Sequence, residues 1–322
     1  MASSRLSGAR KRYARKIRRK AQLRSRLLVQ AFAEVERERY LGPGPWWLRG
    51  GVQSLRRLGY WRTRDDHPRH LYNDVLVGIF PERGLNNGLP SALALWFENL
   101  DLKRGERVVH IGCGTGYYSA ILAHVVGPAG HVTAVEINDE LAERARQNLA
   151  HLRHVEVLHA DGSNFDLSAA DVVFVNAGAT HPPRPWLETL RSGARFMFPM
   201  ITTHEVSMTT FRRVGSQNQN QVRANPVWAR MRMAGVMLLV ARRRSTYTVA
   251  PVSGVGMFPC IGAVERDADA RVARALEGGG YESVSSLRRS DHPADNTCWL
   301  HGTDFCFSTL PASDESAESP KR

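Results

Sequence analysis

Two hydrophobic periods alternate through the middle of this 322-residue chain. Val108 to Ile111 are apolar or β-prone, as suits a short strand covered on both faces. It enters the turn Gly112-Cys113-Gly114-Thr115-Gly116, and a helix follows over Tyr117–Val126 until Gly127-Pro128 stops it. A strand over His131–Glu136, a helix over Asp139–Ala150, and strands over Val155–His159 and Asp171–Asn176 continue the alternation. This order predicts an α/β fold, a Rossmann-like and mostly parallel sheet with helices on both faces. Upstream, helices are expected over Leu27–Val35 and Ala92–Leu100, with a short strand within Leu71–Phe80. Downstream, Trp186–Leu190 followed by Arg191–Phe198 reads as a helix, a glycine turn and a further strand. Two antiparallel strands are expected near 205–213 and 233–241, then a helix over Asp267–Glu277 stopped by Gly278-Gly279-Gly280.

The pattern divides the chain into a basic arm (1–26), a main domain (27–245), a C-terminal extension (246–311) and a Ser/Glu/Pro-rich tail (312–322) expected to be disordered. No apolar run reaches the roughly 18 residues that span a bilayer. The expectation is a cytoplasmic protein without a membrane span. Charge changes the picture only at the arm. Eleven basic and no acidic side chains lie in residues 1–26, and removing them from the net +13 leaves +2 for the rest. Such an arm can contact nucleic acid, an anionic membrane or an acidic partner, and it shares features with a transit peptide. A solvated helix or tail is the plainest reading.

The chemistry concentrates at strand ends. Three glycines in the spacing G-x-G-x-G let backbone approach a ligand. A dinucleotide turn has G-x-G-x-x-G, and this chain departs from it. Glu136 ends the next strand 20 positions after Gly116, where a carboxylate can accept both hydroxyls of a ribose. Gly112–Gly116, Glu136, Asp161-Gly162 and Asn176–Ala179 all fall at carboxyl ends of predicted strands, where open parallel sheets bind ligands. The loop Pro81–Ser91 precedes a helix and carries the adjacent Asn86 and Asn87. The four cysteines contain no C-x-x-C pair. A zinc site from Cys298, His301 and Cys306 can be drawn, but its spacing matches no common ligand pattern, and no metal is expected.

The run VVHIGCGTGYYSAILAHVVGPAGHVTAVEINDELAERARQNL, with HADGSNF and VVFVNAGATHPPRPWLETLRSGARFMFP, resembles class I S-adenosylmethionine-dependent methyltransferases, and among them the protein-L-isoaspartate O-methyltransferases. The resemblance covers roughly Leu28 to Met200. It implies S-adenosylmethionine as cofactor, with Gly112, Gly114 and Gly116, together with Thr115, beneath its methionine part. Glu136 would hold the ribose and Asp161 and Gly162 would flank the adenine, with Ile137, His110 and Asn176 also in the cofactor site and His181 bordering the pocket beside Asn176. His110 stands where the family core has an acidic residue. Gly88, in Asn86-Asn87-Gly88-Leu89-Pro90, stands where isoaspartyl repair enzymes carry a serine.

The implied reaction is methylation of a carboxylate on an isoaspartyl or aspartyl residue, with Asn86, Asn87 and Ser91 holding the acceptor. A carboxylate is already ionised at neutral pH and needs no general base. A hydroxyl or amine acceptor would need one, for which His181 or His110 are the candidates. The alternatives are the same chemistry on another peptide or small molecule, and a non-catalytic relative that binds RNA or a partner through the arm.

Overall fold

The computed structural model describes residues 2–50, 59–206, 234–289 and 292–312. The chain forms two compact units, Met1–Ala160 and Asp161–Arg322.

The first unit opens with helices α1 (Ala2–Ala21) and α2 (Arg26–Glu34). Strands β1 (Trp47–Arg49), β2 (Trp61–Arg62), β3 (Leu76–Phe80) and β4 (Leu85–Asn86) follow. They pair antiparallel in the order β2-β1-β3-β4. This small sheet buries Leu41, Trp46, Leu48, Leu71, Val75 and Val77. Trp46 thus plugs a core, as a large aromatic after a Pro/Gly loop commonly does, whereas Trp47 is exposed.

Then come α3 (Pro90–Leu100), β5 (Arg107–Ile111), α4 (Tyr117–Val126), β6 (His131–Glu136), α5 (Asp139–Leu149) and β7 (Val155–His159). Strands β5, β6 and β7 are parallel with β6 central. Helix α4 is apolar nearly all round and buries nine of its ten residues, the mark of a core helix. Helix α5 is one-sided: it buries Leu141, Ala142, Ala145 and Leu149 and is capped by Asn138, whose side chain accepts from the Leu141 N–H at 3.0 Å.

The basic arm is neither a free tail nor a fully solvated helix. Tyr13, Ala14, Ile17 and Ala21 recur at helical spacing and are buried where α1 packs on α2 and α3. Part of its charge is used internally: Lys20 pairs with the buried Asp74 at 2.7 Å and Arg10 with Glu36 at 2.7 Å.

The second unit contains β8 (Val172–Val175), α6 (Arg184–Thr189), β9 (Arg195–Thr202), β10 (Ala234–Arg243), β11 (Thr246–Gly256), α7 (Arg266–Gly278), β12 (Ser286–Arg288), β13 (Cys298–His301) and β14 (Cys306–Ser308). Their order is β13-β14-β12-β11-β10-β9-β8. Only the β8–β9 pair is parallel in this set; the remaining pairs are antiparallel. The parallel strand–helix alternation matches the α/β class predicted from the sequence, and the antiparallel strands extend it. β10 pairs with the eight-residue β9 on one side and with β11 on the other; of the strand expected near 205–213, Glu205 and Val206 are not in a strand. Residues 207–213 of that expected strand lie outside the described residues, as do the Gly215–Gln221 loop and all of the tail after Ala312. Among the described residues no helix is long and apolar enough to cross a membrane.

Candidate active site

The glycine turn is shaped from both sides by β5 and β6. The N–H groups of Gly112 and Cys113 both donate to the Val135 carbonyl, at 2.8 and 3.1 Å, which carries the pairing of the two strands to the start of the turn. Gly112, Gly114 and Gly116 have φ of +75°, +57° and +90°, all in the left-handed region that side chains resist. Their roles differ. A Cβ on Gly114 would meet only Ile79 Cδ1 at 3.9 Å, so the backbone there borders open space. A Cβ on Gly116 would lie 2.7 Å from Leu149 Cδ1, so this glycine seats the turn on α5. Gly116 also begins α4 without a side-chain cap, leaving the helix's leading N–H groups for another acceptor.

Glu136 is buried and closes the turn. Its Oε2 accepts from the Gly114 N–H at 2.8 Å, and its Oε1 accepts from the Ile137 and Asn138 N–H groups, each at 3.1 Å. Three of the carboxylate's roughly four acceptor positions are therefore used by backbone. Thr115 is buried, its carbonyl accepting from Asn148 Nδ2 at 2.9 Å, and the Ile137 carbonyl contacts His159 Nε2 at 3.0 Å. Cys113 is buried beside Glu136; burial, then the nearby carboxylate, raises its thiol pKa. It is a small neutral filler of the turn.

His110 is fully buried on β5, its Nδ1 2.8 Å from Ser119 Oγ. Burial pulls the imidazole pKa down to about 3. The ring is neutral at physiological pH and too weakly basic to take a proton from an acceptor, which removes His110 as a candidate base.

The loop ahead of α3 lies in the same unit. Asn87 is buried, and its Oδ1 accepts from Arg37 Nη2 at 3.3 Å and the Val77 N–H at 3.2 Å, while its Nδ2 is buried without a hydrogen-bond partner. Asn86 Oδ1 accepts from the Gly88 N–H at 2.9 Å and its Nδ2 donates to the Gly84 carbonyl at 3.1 Å. Ser91 donates through both N–H and Oγ to Asp74, each at 2.9 Å. Asn86 and Ser91 thus shape the loop, and Asn87 alone retains an unspent buried donor. Gly88 has φ +80°, and Tyr118 Oη on α4 donates to its carbonyl at 3.2 Å, tying the loop to the helix that leaves the glycine turn.

Arg37 carries no mark in the sequence of the place it takes. It is fully buried, and it donates to the carbonyls of Leu71, Asn73 and Val75 at 2.7–3.1 Å besides Asn87. Its guanidinium lies 5.6 Å from the Tyr117 ring centre. One arginine among the alternating charges of Glu36–Arg39 gives no signal of burial, because most of its partners are backbone carbonyls supplied by a distant segment. A cleft of about 480 Å³ lies at the C-terminal end of α4, lined by Glu34, Arg39, His124 and His154 among others. It shares no residue with the glycine turn.

In the second unit, Asp161 Oδ1 accepts from the Ser163 N–H at 2.9 Å and Oγ at 2.7 Å, and the Gly162 carbonyl accepts from Trp186 Nε1 at 2.7 Å. Gly262 packs on this turn, since a Cβ there would meet Ser163 Oγ at 2.2 Å. Asn176 follows β8 directly, half-buried. His181 lies between Thr180 Oγ1 at 3.3 Å and Glu265 Oε1 at 3.4 Å.

Known proteins resemble this chain in sequence and fold. A curated protein-L-isoaspartate O-methyltransferase from Methanothrix thermoacetophila is 39% identical over 180 residues, covering 55% of this chain and 74% of that protein. One from Thermotoga maritima is 28% identical over 179 residues, and the match spans only 50% of its length. A solved structure described as a protein-L-isoaspartate O-methyltransferase superposes with a TM-score of 0.56 at 21% identity, over 84% of this chain and 68% of that one, which is a likeness of fold. The family model for protein-L-isoaspartate(D-aspartate) O-methyltransferase matches residues 66–229, taking in the loop, the glycine turn and Glu136. On that match, this chain belongs to the protein-L-isoaspartate(D-aspartate) O-methyltransferase family.

Proposed function

We propose that the chain is an S-adenosylmethionine-dependent methyltransferase that esterifies a carboxylate of isoaspartyl or aspartyl residues in peptides or proteins. The observation that carries this reading is the glycine turn closed onto Glu136 at the ends of parallel β5 and β6. The residues suit the cofactor: Gly114 offers backbone bordering open space, and Glu136 has one acceptor position left for a ribose hydroxyl. The cofactor, when bound, supplies an electrophilic methyl group on a sulfonium. The protein's task is then to hold nucleophile, methyl and sulfur in line and keep water away. An ionised carboxylate needs no proton removed, which agrees with acceptor-holding candidates Asn86, Asn87 and Ser91 that offer two amides and a hydroxyl. Asn87 Nδ2, a buried donor without a partner, is the group we assign to orienting the acceptor.

A second reading keeps the cofactor and changes the acceptor. It is favoured by Gly88, whose φ of +80° and lack of a hydroxyl separate this loop from the serine pattern. The exposed basic side chains of α1, among them Lys11, Arg12, Arg15, Arg18 and Arg19, suit an acidic peptide or nucleic-acid partner, and a cytoplasmic location belongs to the same proposal.

Calorimetry with S-adenosylmethionine and methyl-ester assays on paired isoaspartyl and aspartyl peptides test both readings. Binding with esterification of either peptide supports the first reading. Binding with no ester on either supports the second, and no binding removes both.

A further inference from the structure

Beyond the methyl-transfer site and outside residues 66–229, the antiparallel end of the second unit gathers His292, Cys298, His301 and Cys306. One ligand atom from each lies within 4.8 Å of all the others. We infer that these four side chains form a Cys2His2 site for a structural zinc ion.

The sequence offers three of these ligands but hides how they converge. Side chains on a strand alternate, so Cys298 and His301, three positions apart, should face opposite ways. The β13–β14 register shifts between Cys298 and Leu300, and that irregularity turns Cys298 toward the face shared by His301 and its cross-strand partner Cys306. His292 arrives from the preceding loop, with Nε2 3.3 Å from Cys298 Sγ and its ring edge-on to His301, centres 4.9 Å apart. Nδ1 of His301 is buried without a hydrogen-bond partner.

The donor set suits zinc. Zinc prefers four tetrahedral ligands with Zn–S near 2.3 Å and Zn–N near 2.0 Å, which implies ligand–ligand spacings of roughly 3.3–3.8 Å. The observed atoms need only a small contraction to reach that geometry. The Asp295 N–H donates to Cys298 Sγ at 3.5 Å from a tight turn in which Asp295 Oδ1 accepts from the Thr297 N–H at 2.8 Å; backbone donors of this kind support a metal-bound thiolate. The Asp295 carboxylate, which faces the same sulfur at 3.5 Å, accepts its proton only in the thiol form, and ligation releases that proton to solvent. Four protein ligands leave no open coordination position, so the ion ties the outermost hairpin to the 292–297 loop and takes no part in chemistry.

The test is metal content and cobalt spectroscopy on the full-length chain, neither of which depends on methyltransferase activity. Protein purified without added metal is expected to carry about one zinc per chain, and the reduced, chelator-stripped chain titrated with cobalt(II) should develop tetrahedral d–d bands with thiolate charge transfer. Cys298→Ser and His292→Ala should each abolish the charge-transfer spectrum or weaken cobalt binding at least tenfold, while Cys260→Ser leaves it unchanged. If the variants fail to fold, the unmodified chain still decides. Absence of zinc together with no tetrahedral cobalt spectrum overturns the site, as does a Cys298–Cys306 disulfide in peptide maps of a chain that refuses cobalt after reduction.

Discussion

The Gly114 N–H donates to Glu136 Oε2 at 2.8 Å, so the residue we propose to receive a ribose also holds the turn that would receive the rest of the cofactor. Glu136→Gln keeps the shape but replaces a charged acceptor with a neutral one that is half donor. Hydrogen bonds to charged groups contribute about 1.5–3 kcal/mol. We expect S-adenosylmethionine affinity to fall at least tenfold by calorimetry and the melting temperature to drop. Unchanged affinity in the folded variant would remove Glu136 from the cofactor site.

Gly114 and Gly116 should separate binding from folding. Both have positive φ, so an alanine at either carries a backbone cost of about 1–2 kcal/mol. At Gly114 the added methyl has room, and Gly114→Ala is expected to fold yet bind cofactor poorly. At Gly116 the methyl strikes Leu149, and Gly116→Ala should lose clearly more stability in urea unfolding. Equal stability losses would contradict these roles.

His110 makes stability depend on pH. Its folded pKa, about 3, lies below the ordinary value of 6.5, so the unfolded chain binds the extra proton first. Stability from this group is complete above about pH 6.5 and is lost as pH falls from there toward 3. Between pH 7 and 5 the loss is about 2 kcal/mol. His110→Gln should lose less than the unmodified chain over the same interval in urea midpoints; parallel losses would show that the ring is not buried and neutral.

Asn87 joins the loop to Arg37. Asn87→Ala leaves Arg37 Nη2 and the Val77 N–H without their side-chain acceptor in a buried place, and a destabilisation of about 2–3 kcal/mol is expected. Asn87→Asp keeps the acceptor beside the guanidinium but removes the Nδ2 donor. It should hold more stability than Asn87→Ala and still lose kcat on a carboxylate substrate. Full activity in Asn87→Asp would free Asn87 from any part in orienting the acceptor.

Gly88 tests the acceptor. A Cβ there meets Leu93 Cδ2 at 2.9 Å on a backbone with φ +80°. Gly88→Ser is therefore expected to lower the melting temperature without raising isoaspartyl esterification; a gain in that activity would mean the loop readily adopts the serine-bearing conformation.

The local order of the core was legible in the sequence because it depends on neighbours along the chain. Val108 to Gly116 determine a strand, a turn and a helix start through β-branched side chains and glycines, and the apolar period of Tyr117–Val126 determines the buried helix. Three things depended on segments far apart. The arm's charge concealed an apolar face, Tyr13 to Ala21, whose burial needs α2 and α3 to pack on it. Arg37 became a core residue only because the 71–75 segment brings three carbonyls to it. Cys298, His301 and Cys306 were visible, but His292 and the irregular register that aims Cys298 are products of a loop and a hairpin meeting. Sequence determines what each residue can donate, accept or bury. Only the tertiary structure decides which groups meet, since burial and hydrogen-bond geometry are properties of the assembled neighbours.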